Sequence, residues 1–314
     1  MGSYLASFIV MDLRQLNLLL AVAEHHSFSG AARALHTVQS NVSTHVARLE
    51  RELKTVLIDR RTMAPTAEGE AVIERAQRIR SELRAITDDI SSMKNEVAGS
   101  VNIGCIGTVA RWIANPLLNQ LSDEYPSLRP IITDDVTSSL IPKLITGELD
   151  IAIVNSPISS SGVNTLPLFE EEYVIIASKD HPLSKKDVIK LQDLSDLEIM
   201  LTPTGTAIRD NIDQEAAAAG VALMPVAEIT GLRLLASLAM EGETPALLPA
   251  SAASGHPKGN WIVVPVEGLS KRKVGLAFNQ RMTPSTPVRL TIDVLTQIVS
   301  KNAPNQPGIR VTLD

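Results

Sequence analysis

Apolar residues recur every three or four positions over the first part of the chain, which predicts short amphipathic helices. The apolar positions of the first helix are Leu13, Leu16, Leu20 and Ala23. Those of the third helix are Val42, Val46, Leu49 and Leu53. Between them, Ser29 is the predicted N-cap of a second helix over Gly30–Leu35, whose small residues allow close packing. The turn His36–Val38 then joins the second helix to the third.

A stretch without proline, Ala67–Val97, predicts one long helix that Thr66 caps. Its apolar residues step alternately by four and three positions, which is the heptad period of a coiled coil. These residues, called the heptad seam below, are Ile79, Leu83, Ile86, Ile90, Met93 and Val97. We therefore expect two copies of the chain to pair along the seam. Packing of the helix on its own domain is the alternative.

Behind a predicted hinge at Ala98–Ser100, the pattern changes to alternating strands and helices. The predicted strands are Val101–Ile106, Arg129–Asp134, Asp150–Val154, Tyr173–Ser178, Glu198–Leu201, Ala222–Ile229, Ala246–Pro249, Trp261–Val266 and Val274–Asn279. The predicted helices are Ala110–Tyr125, Leu140–Thr146, Ala207–Ala219, Leu232–Met240 and Pro287–Lys301. Such alternation predicts mostly parallel sheets covered by helices, in two α/β subdomains. The end of the chain, 302–314, is predicted to be a loose tail.

The face of the third helix opposite its apolar positions carries mostly short polar side chains. Its residues are Gln39, Ser40, Asn41, Ser43, Thr44 and Arg48. Such side chains fit against base edges and phosphates in a major groove. Two short helices joined by a tight turn, the second with a polar face, are typical of a helix-turn-helix. An ordinary solvated helix face is the alternative.

A short β-wing is predicted after the third helix, from Val56–Ile58 and Ala64–Thr66. Arg60 and Arg61 lie at its tip, within reach of phosphate or a minor groove. A solvated surface pair is the alternative.

The charge of the chain is uneven along its length. The net charge is −6, yet residues 1–66 hold seven Lys/Arg and five Asp/Glu, a net of +2. A weakly basic head on an acidic body suits a DNA-binding protein whose body faces away from the phosphates. No apolar run approaches the roughly 18 residues of a membrane span, and the first ten residues lack the basic start of a signal peptide. We therefore expect a cytoplasmic protein with no membrane partner.

The sequence contains little that suggests catalysis. The single cysteine, Cys105, excludes a disulfide framework, a cysteine-based zinc site within one chain and a peroxide sensor that uses two cysteines. It is either a small core residue or a reactive thiol. The six histidines follow no metal or catalytic-triad spacing, and the common hydrolase, metalloprotease and nucleotide-binding motifs are absent. We expect no enzymatic activity, no metal and no cofactor.

The first part of the chain, residues 11–69, is called the head below. It resembles the LysR-type transcriptional regulator family. The ordered motif runs through Leu13–Leu16, Ser27–Leu35 and Gln39–Glu50. The resemblance is strong over Met11–Gly69 and architectural beyond it. It implies an α+β/α/β multidomain protein with a winged helix-turn-helix, a long coiled-coil linker helix and a periplasmic-binding-protein-like effector domain of two α/β subdomains.

The head also departs from the family pattern. Lys54 stands where the family usually has glycine, Ile58 where it has phenylalanine, and Pro65 where it has leucine. The wing is also shorter than in the family. These departures therefore affect the expected DNA contacts of the wing more than those of the third helix. Met11 is where family members usually begin, so we expect residues 1–10 to be either an extension or an artefact of the assigned start site.

The resemblance implies a division of the chain into domains and a set of partners. The DNA-binding domain covers 11–69, the linker and dimerisation helix 70–98, the effector domain 101–301 and the tail 302–314. Subdomain I covers 101–168 and 268–301, and subdomain II covers 169–267. The implied partners are double-stranded DNA, a second copy through residues 70–97 in a dimer or a dimer of dimers, a small-molecule effector and RNA polymerase.

The resemblance places the third helix in the major groove and the start of the second helix near phosphates. The predicted DNA-binding residues are Ser27, Ser29, Arg33, Gln39, Ser40, Asn41, Ser43, Thr44, Arg48, Arg60, Arg61 and Thr66. The family often has Arg or Gln at the position of Thr44. A different base preference is therefore expected, because threonine can contact a thymine methyl group or accept a hydrogen bond.

Hydroxyl-bearing turns follow several predicted strands and precede helices. The predicted ligand-binding residues are Thr108, Ser138, Ser139, Thr202, Thr204, Thr206, Thr230 and Gly231. Helix N-termini favour anions, and the family places its ligand between the two subdomains, so we expect a small organic anion. Plain helix capping is the alternative for these hydroxyls. For the whole chain, the alternative is a solute-binding or sensing module without DNA binding, which the head argues against.

Overall fold

The computed structural model describes residues 11–93, 97–158 and 160–313. These residues form two compact units. The first comprises the described residues up to Ala85 with Thr146–Glu148, and the second comprises Ile86–Ile145 with the described residues from Leu149 onward. The predicted extension, 1–10, and the predicted helical residues 94–96 lie outside the described ranges.

Helices dominate the first part of the chain. They are α1 (Leu13–His25), α2 (Phe28–Ala34), α3 (Gln39–Leu53) and α4 (Ala67–Met93). A capping box starts α1, because Asp12 Oδ1 accepts the Gln15 N–H at 2.7 Å while Gln15 Oε1 accepts the Asp12 N–H at 2.8 Å. The apolar stripes of α1 and α3 face a common core that includes Leu19, Val42, Val46 and Leu49.

The predicted N-cap of the second helix is wrong by two residues. Ser27, rather than Ser29, has the extended backbone of a cap, and its Oγ accepts the Gly30 N–H at 3.1 Å. Phe28 therefore opens the helix and is buried in the core of the head. Both serines fit the capping pattern, and the burial of Phe28 decides between them.

In place of the predicted β-wing, the described residues between α3 and α4 contain a single β-bridge, which pairs Ile58 with Pro65. Gly69 packs against it so closely that a methyl group there would lie 2.0 Å from the Leu57 carbonyl oxygen. Only glycine fits this approach. Thr66 caps α4 as predicted, since its Oγ1 accepts the Gly69 N–H at 3.0 Å.

The long helix ends earlier than predicted. Val97 lies outside it, and the described part of α4 ends at Met93. The predicted hinge is wrong at Gly99 and Ser100, which already belong to the first strand. The remaining seam residues are exposed by 38–81%. They are Ile79, Leu83, Ile86, Ile90 and Met93.

The second unit contains two six-stranded sheets, each flanked by helices. The strands are β1 (Gly99–Cys105), β2 (Leu128–Asp134), β3 (Ile151–Ser156), β4 (Val163–Glu171), β5 (Tyr173–Ser178), β6 (Ile189–Lys190), β7 (Glu198–Leu201), β8 (Met224–Glu228), β9 (Ala246–Pro249), β10 (Trp261–Glu267), β11 (Arg272–Asn279) and β12 (Ile309–Val311). The helices are α5 (Gly107–Glu124), α6 (Thr137–Thr146), α7 (Ala207–Ala218), α8 (Leu232–Glu241) and α9 (Thr286–Asn302).

The strand order is β12-β4-β11-β3-β1-β2 in the first sheet and β6-β10-β5-β9-β7-β8 in the second. Each sheet is mixed rather than mostly parallel. The chain crosses to the second sheet after β4 and returns through β11, which lies antiparallel to both β3 and β4. Non-local pairing of this kind leaves no periodic signal in the sequence.

The predicted loose tail is also wrong. Residues 302–313 include β12, which pairs antiparallel with Phe169–Glu171 at the end of β4. Ile309 is buried by this pairing. No helix in the described residues is long and apolar enough to cross a membrane.

Candidate nucleic-acid interface and effector site

The polar face of α3 is accessible, as its predicted role requires. Gln39, Ser40, Thr44 and Arg48 are exposed, whereas Asn41 and Ser43 are half-buried. The Thr44 hydroxyl donates to the Ser40 carbonyl oxygen at 2.8 Å. Its oxygen keeps lone pairs for a DNA donor, and its methyl group remains available to a thymine.

Two of these side chains are held by neighbouring residues outside the polar face. Asn41 Nδ2 donates to Thr37 Oγ1 at 2.8 Å, and Arg48 Nε donates to Glu52 Oε1 at 2.9 Å. The ion pair of Arg48 is a surface i,i+4 pair, which stabilises a helix only weakly. Arg48 can therefore exchange Glu52 for a phosphate at little cost.

The predicted phosphate contacts at the start of α2 are grouped closely. The hydroxyl oxygens of Ser27 and Ser29 lie 3.0 Å apart, and Arg33 is exposed in the last turn of the helix. Ser27 is engaged as the helix cap, so Ser29 and Arg33 are the side chains in this group with more freedom to contact a backbone phosphate.

Arg60 has a structural role that the sequence did not indicate. Its Nη2 donates to Glu50 Oε2 at 2.8 Å, and its guanidinium lies 4.4 Å from the centre of the Phe28 ring. The other Glu50 oxygen accepts the N–H groups of Leu57 and Ile58 at 2.9 and 3.2 Å. Glu50 and Arg60 thus fasten the start of the wing to the helices.

Thr66 and Arg61, the other two wing residues of the predicted set, differ in how far their side chains are engaged. The Thr66 hydroxyl donates to the Val56 carbonyl oxygen at 2.7 Å, in addition to capping α4. Arg61 is exposed at the tip of the wing.

The predicted effector residues fall into exposed and engaged groups. Ser138, Thr204, Thr230 and Gly231 are exposed at the starts of α6, α7 and α8, and Ser139 is half-buried. Thr202 and Thr206 face each other across the turn before α7, with their hydroxyl oxygens 3.2 Å apart. Thr206 is the N-cap of α7 by position, yet its hydroxyl donates to the Pro203 carbonyl oxygen instead.

Thr108 belongs to a buried ionic cluster that no pattern in the sequence predicts. Its Oγ1 accepts a hydrogen bond from Arg272 Nη2 at 3.0 Å, and the same nitrogen donates to Ser251 Oγ at 3.1 Å. Arg272 Nε donates to Glu171 Oε1 at 2.8 Å, while Glu171 Oε2 accepts the Ser251 N–H at 2.6 Å. Only 6% of the Arg272 side chain and none of the Glu171 side chain is accessible.

The cluster lies where the chain passes between the two sheets. Glu171 ends β4 just before the crossing to β5, and Arg272 opens β11 just after the return from β10. The ion pair therefore ties the two crossing segments together, with Thr108 of α5 hydrogen-bonded to them. No local pattern marks Arg272, which sits in a run of three basic residues that looks like a solvated surface.

A second charged pair lies at the carboxyl end of the first sheet. Asp134, the last residue of β2, contacts Arg233 in the first turn of α8 through Oδ2 and Nη2. Asp135 lies beside it and accepts the Val136 N–H at 2.8 Å, which places a carboxylate at the start of α6. The sequence had indicated hydroxyls here, and the structure adds these charges.

Cys105 is a core residue, as one of the two predicted alternatives had it. It lies at the end of β1 with 3% of its surface exposed. Burial raises the pKa of its thiol, and the neighbouring Asp134 charge adds to the effect. In the described residues no cluster of His, Cys, Asp or Glu has the arrangement of a metal site.

Comparison with known proteins identifies the family. Residues 13–70 match the model of the bacterial regulatory helix-turn-helix protein, lysR family, and residues 94–299 match the LysR substrate binding domain. A probable hydrogen peroxide-inducible genes activator of Streptomyces viridosporus is 33% identical over 248 residues, which cover 77% of this chain and 78% of that protein.

Solved structures agree over nearly the whole chain. A full-length OxyR variant from Pseudomonas aeruginosa superposes with a TM-score of 0.74 at 27% identity, covering 93% of this chain and 95% of that one. Full-length CbnR in complex with its target DNA gives a TM-score of 0.66 at 21% identity, covering 93% and 100%, and shows the shared fold.

The chain belongs to the LysR family of DNA-binding transcriptional regulators. The predicted family, fold class and regulatory function are confirmed. The family is one of regulators and not of enzymes, and a solute-binding module without a DNA-binding head does not fit the match over residues 13–70.

Proposed function

We propose that the chain binds operator DNA as a homodimer or a dimer of dimers, and that a small organic carboxylate entering between its two sheets changes that binding. The accessible polar face of α3, within a helix-turn-helix that matches the family model, carries the DNA-binding part of the proposal. Because its target is chromosomal DNA, the cytoplasm is the proposed place of action.

The proposed DNA contacts fall into base contacts and phosphate contacts, as predicted. Gln39, Ser40, Ser43 and Thr44 meet base edges in the major groove, while Ser29 and Arg33 meet phosphates. Arg61 is the proposed wing contact, since its exposure supports it better than the engagement of Arg60 with Glu50 does.

The proposed domain boundaries remain 11–69, 70–98 and 101–301, with one extension. The pairing of β12 with β4 supports adding the described tail residues to the subdomain that holds the first sheet. For the effector, the exposed residues Ser138, Thr204 and Thr230 are the better-supported contacts. The buried Thr108 is proposed to act through Arg272.

Replacing Ser43 or Thr44 by alanine should weaken specific operator binding by about 1–3 kcal/mol each, because each substitution removes groups that meet a base edge. The measurement is a gel-shift titration and a footprint with the DNA upstream of the chain's own operon. Ser195→Ala, at a half-buried serine of the effector domain, is the matched control and should bind like the unchanged protein. Unchanged footprints in both variants would remove the two residues from the base-contacting face.

One relative is a probable activator of hydrogen peroxide-inducible genes, which raises the question of sensing through a thiol. We propose that this chain senses its effector without a thiol, because its single cysteine is buried and the raised pKa keeps it protonated and weakly nucleophilic. Operator affinity and the oxidation state of Cys105, followed by mass spectrometry, should both stay unchanged after treatment with hydrogen peroxide. Oxidation of Cys105 accompanied by altered DNA binding would contradict the proposal.

A further inference from the structure

Asp134 and Arg233 form an ion pair between elements that belong to different sheets. Asp134 ends β2 in the first sheet, whereas Arg233 lies in α8, which packs on β5 and β9 of the second sheet. Their side chains are 29% and 58% accessible, so a small molecule can reach both charges from solvent.

The pair lies directly against the start of α5. A methyl group at Gly107 would lie 2.8 Å from Asp134 Oδ1 and 3.4 Å from Arg233 Nε. Gly107 is the first residue of α5, and no side chain caps this helix. The Asp134 carboxylate therefore sits near a helix N-terminus that favours negative charge.

The backbone of Asp134 is held in the sheet, because β2 is paired with β1 up to Asp134 itself, opposite Cys105. A ligand carboxylate that took Arg233 for itself would lie within a few ångströms of the Asp134 carboxylate, and two such charges repel each other. A simple amine bound to Asp134 would be repelled by Arg233 in the same way. A ligand with both charges gives each of the two groups an opposite charge in place of the other.

We propose that the effector carries a carboxylate and an ammonium group, as a short amino acid does, and that it inserts between Asp134 and Arg233. Its ammonium group binds Asp134, and its carboxylate binds Arg233 and the start of α5. This inference rests on the proposed function, since it specifies the ligand class of the same effector cleft.

Calorimetry on the full-length oligomer tests the ligand class, with the standard amino acids as probes. Each amino acid that binds is compared with the acid lacking its amino group and the amine lacking its carboxylate. We expect both analogues to bind more weakly by about tenfold or more, because each leaves one charged group of the site unpaired. Equal binding by the acid analogue, or no binding by any amino acid, would overturn the inference.

Two variants test the placement of the ligand. Asp134→Asn should reverse the preference from the amino acid to its acid analogue, because Arg233 is then free to bind a carboxylate alone. Arg233→Gln should shift the preference to the amine. Both variants should fold, since an accessible ion pair contributes little to stability.

Asp135→Asn is the matched control, because it removes a neighbouring carboxylate that lies 3.9 Å from Lys143 instead of meeting Arg233. It should keep the preference for the amino acid. An unchanged preference in Asp134→Asn, or the same change in both variants, would overturn the placement. Operator binding of the unchanged protein is measured separately by gel shift. If the protein binds its operator but does not show the expected preference for an amino acid, this inference fails and the proposed DNA binding does not.

Discussion

Replacing Arg272 by methionine is expected to lower the free energy of unfolding of the effector domain by about 3–5 kcal/mol. The Glu171 carboxylate is fully buried and would lose the cation that neutralises it. Thr108 and Ser251 would also lose the donor that both hydroxyls share. The loss is measured by urea unfolding. Both tryptophans, Trp112 and Trp261, lie in the second unit, so their fluorescence follows this domain.

The double variant Glu171→Leu/Arg272→Met separates the buried charge from the packing. It should recover most of the lost stability, because apolar side chains of similar size can replace a buried ion pair. Lys271→Met is the control, since Lys271 contacts Glu170 and Glu172 at the surface. If Arg272→Met lowers the free energy of unfolding by no more than this control does, the buried charge of Glu171 does not depend on Arg272 for its stabilisation.

Placing aspartate at Ile86 is expected to separate the dimer and to weaken operator binding by about 100-fold or more, because each head then binds without its tethered partner. Ile86 is 60% exposed within the described chain and belongs to the heptad seam. A charge at this position would be buried by pairing, which is unfavourable. Sedimentation reports the oligomeric state, and gel-shift titration reports the affinity.

Ser91→Asp is the matched variant for this test. It adds the same charge to α4, but at a position turned away from the seam by the helical period. It should remain dimeric and bind DNA normally. A dimeric Ile86→Asp protein with unchanged affinity would show that the seam does not hold the oligomer together.

The head was predicted well because its evidence is local. Helix periods, the capping position of Thr66 and the polar face of α3 all act within a few residues. The choice between Ser27 and Ser29 failed, since it depended on whether Phe28 entered the core. Arg60 looked like a free cation for the same reason, because its partners Glu50 and Phe28 are distant in sequence.

The effector domain was predicted in outline and missed where its pairing is non-local. β4 contains Pro167 and several polar residues, so its pattern did not indicate a strand, and the pairing with β11 and β12 forms it. The tail looked loose because its short apolar segment gains a partner only when β4 is in place. Both errors concern strands whose neighbours lie more than a hundred residues away in the chain.

The sequence by itself determined the family, the helix-turn-helix and the polar face of α3 that we propose contacts DNA, because an ordered motif on short helices depends on residues close together in the chain. Only the tertiary structure decided which charged groups of the second unit come together. Glu171 meets Arg272 across 101 positions, and Asp134 meets Arg233 between two sheets. Charge pairs of this kind depend on how the chain crosses between sheets, which no local period encodes.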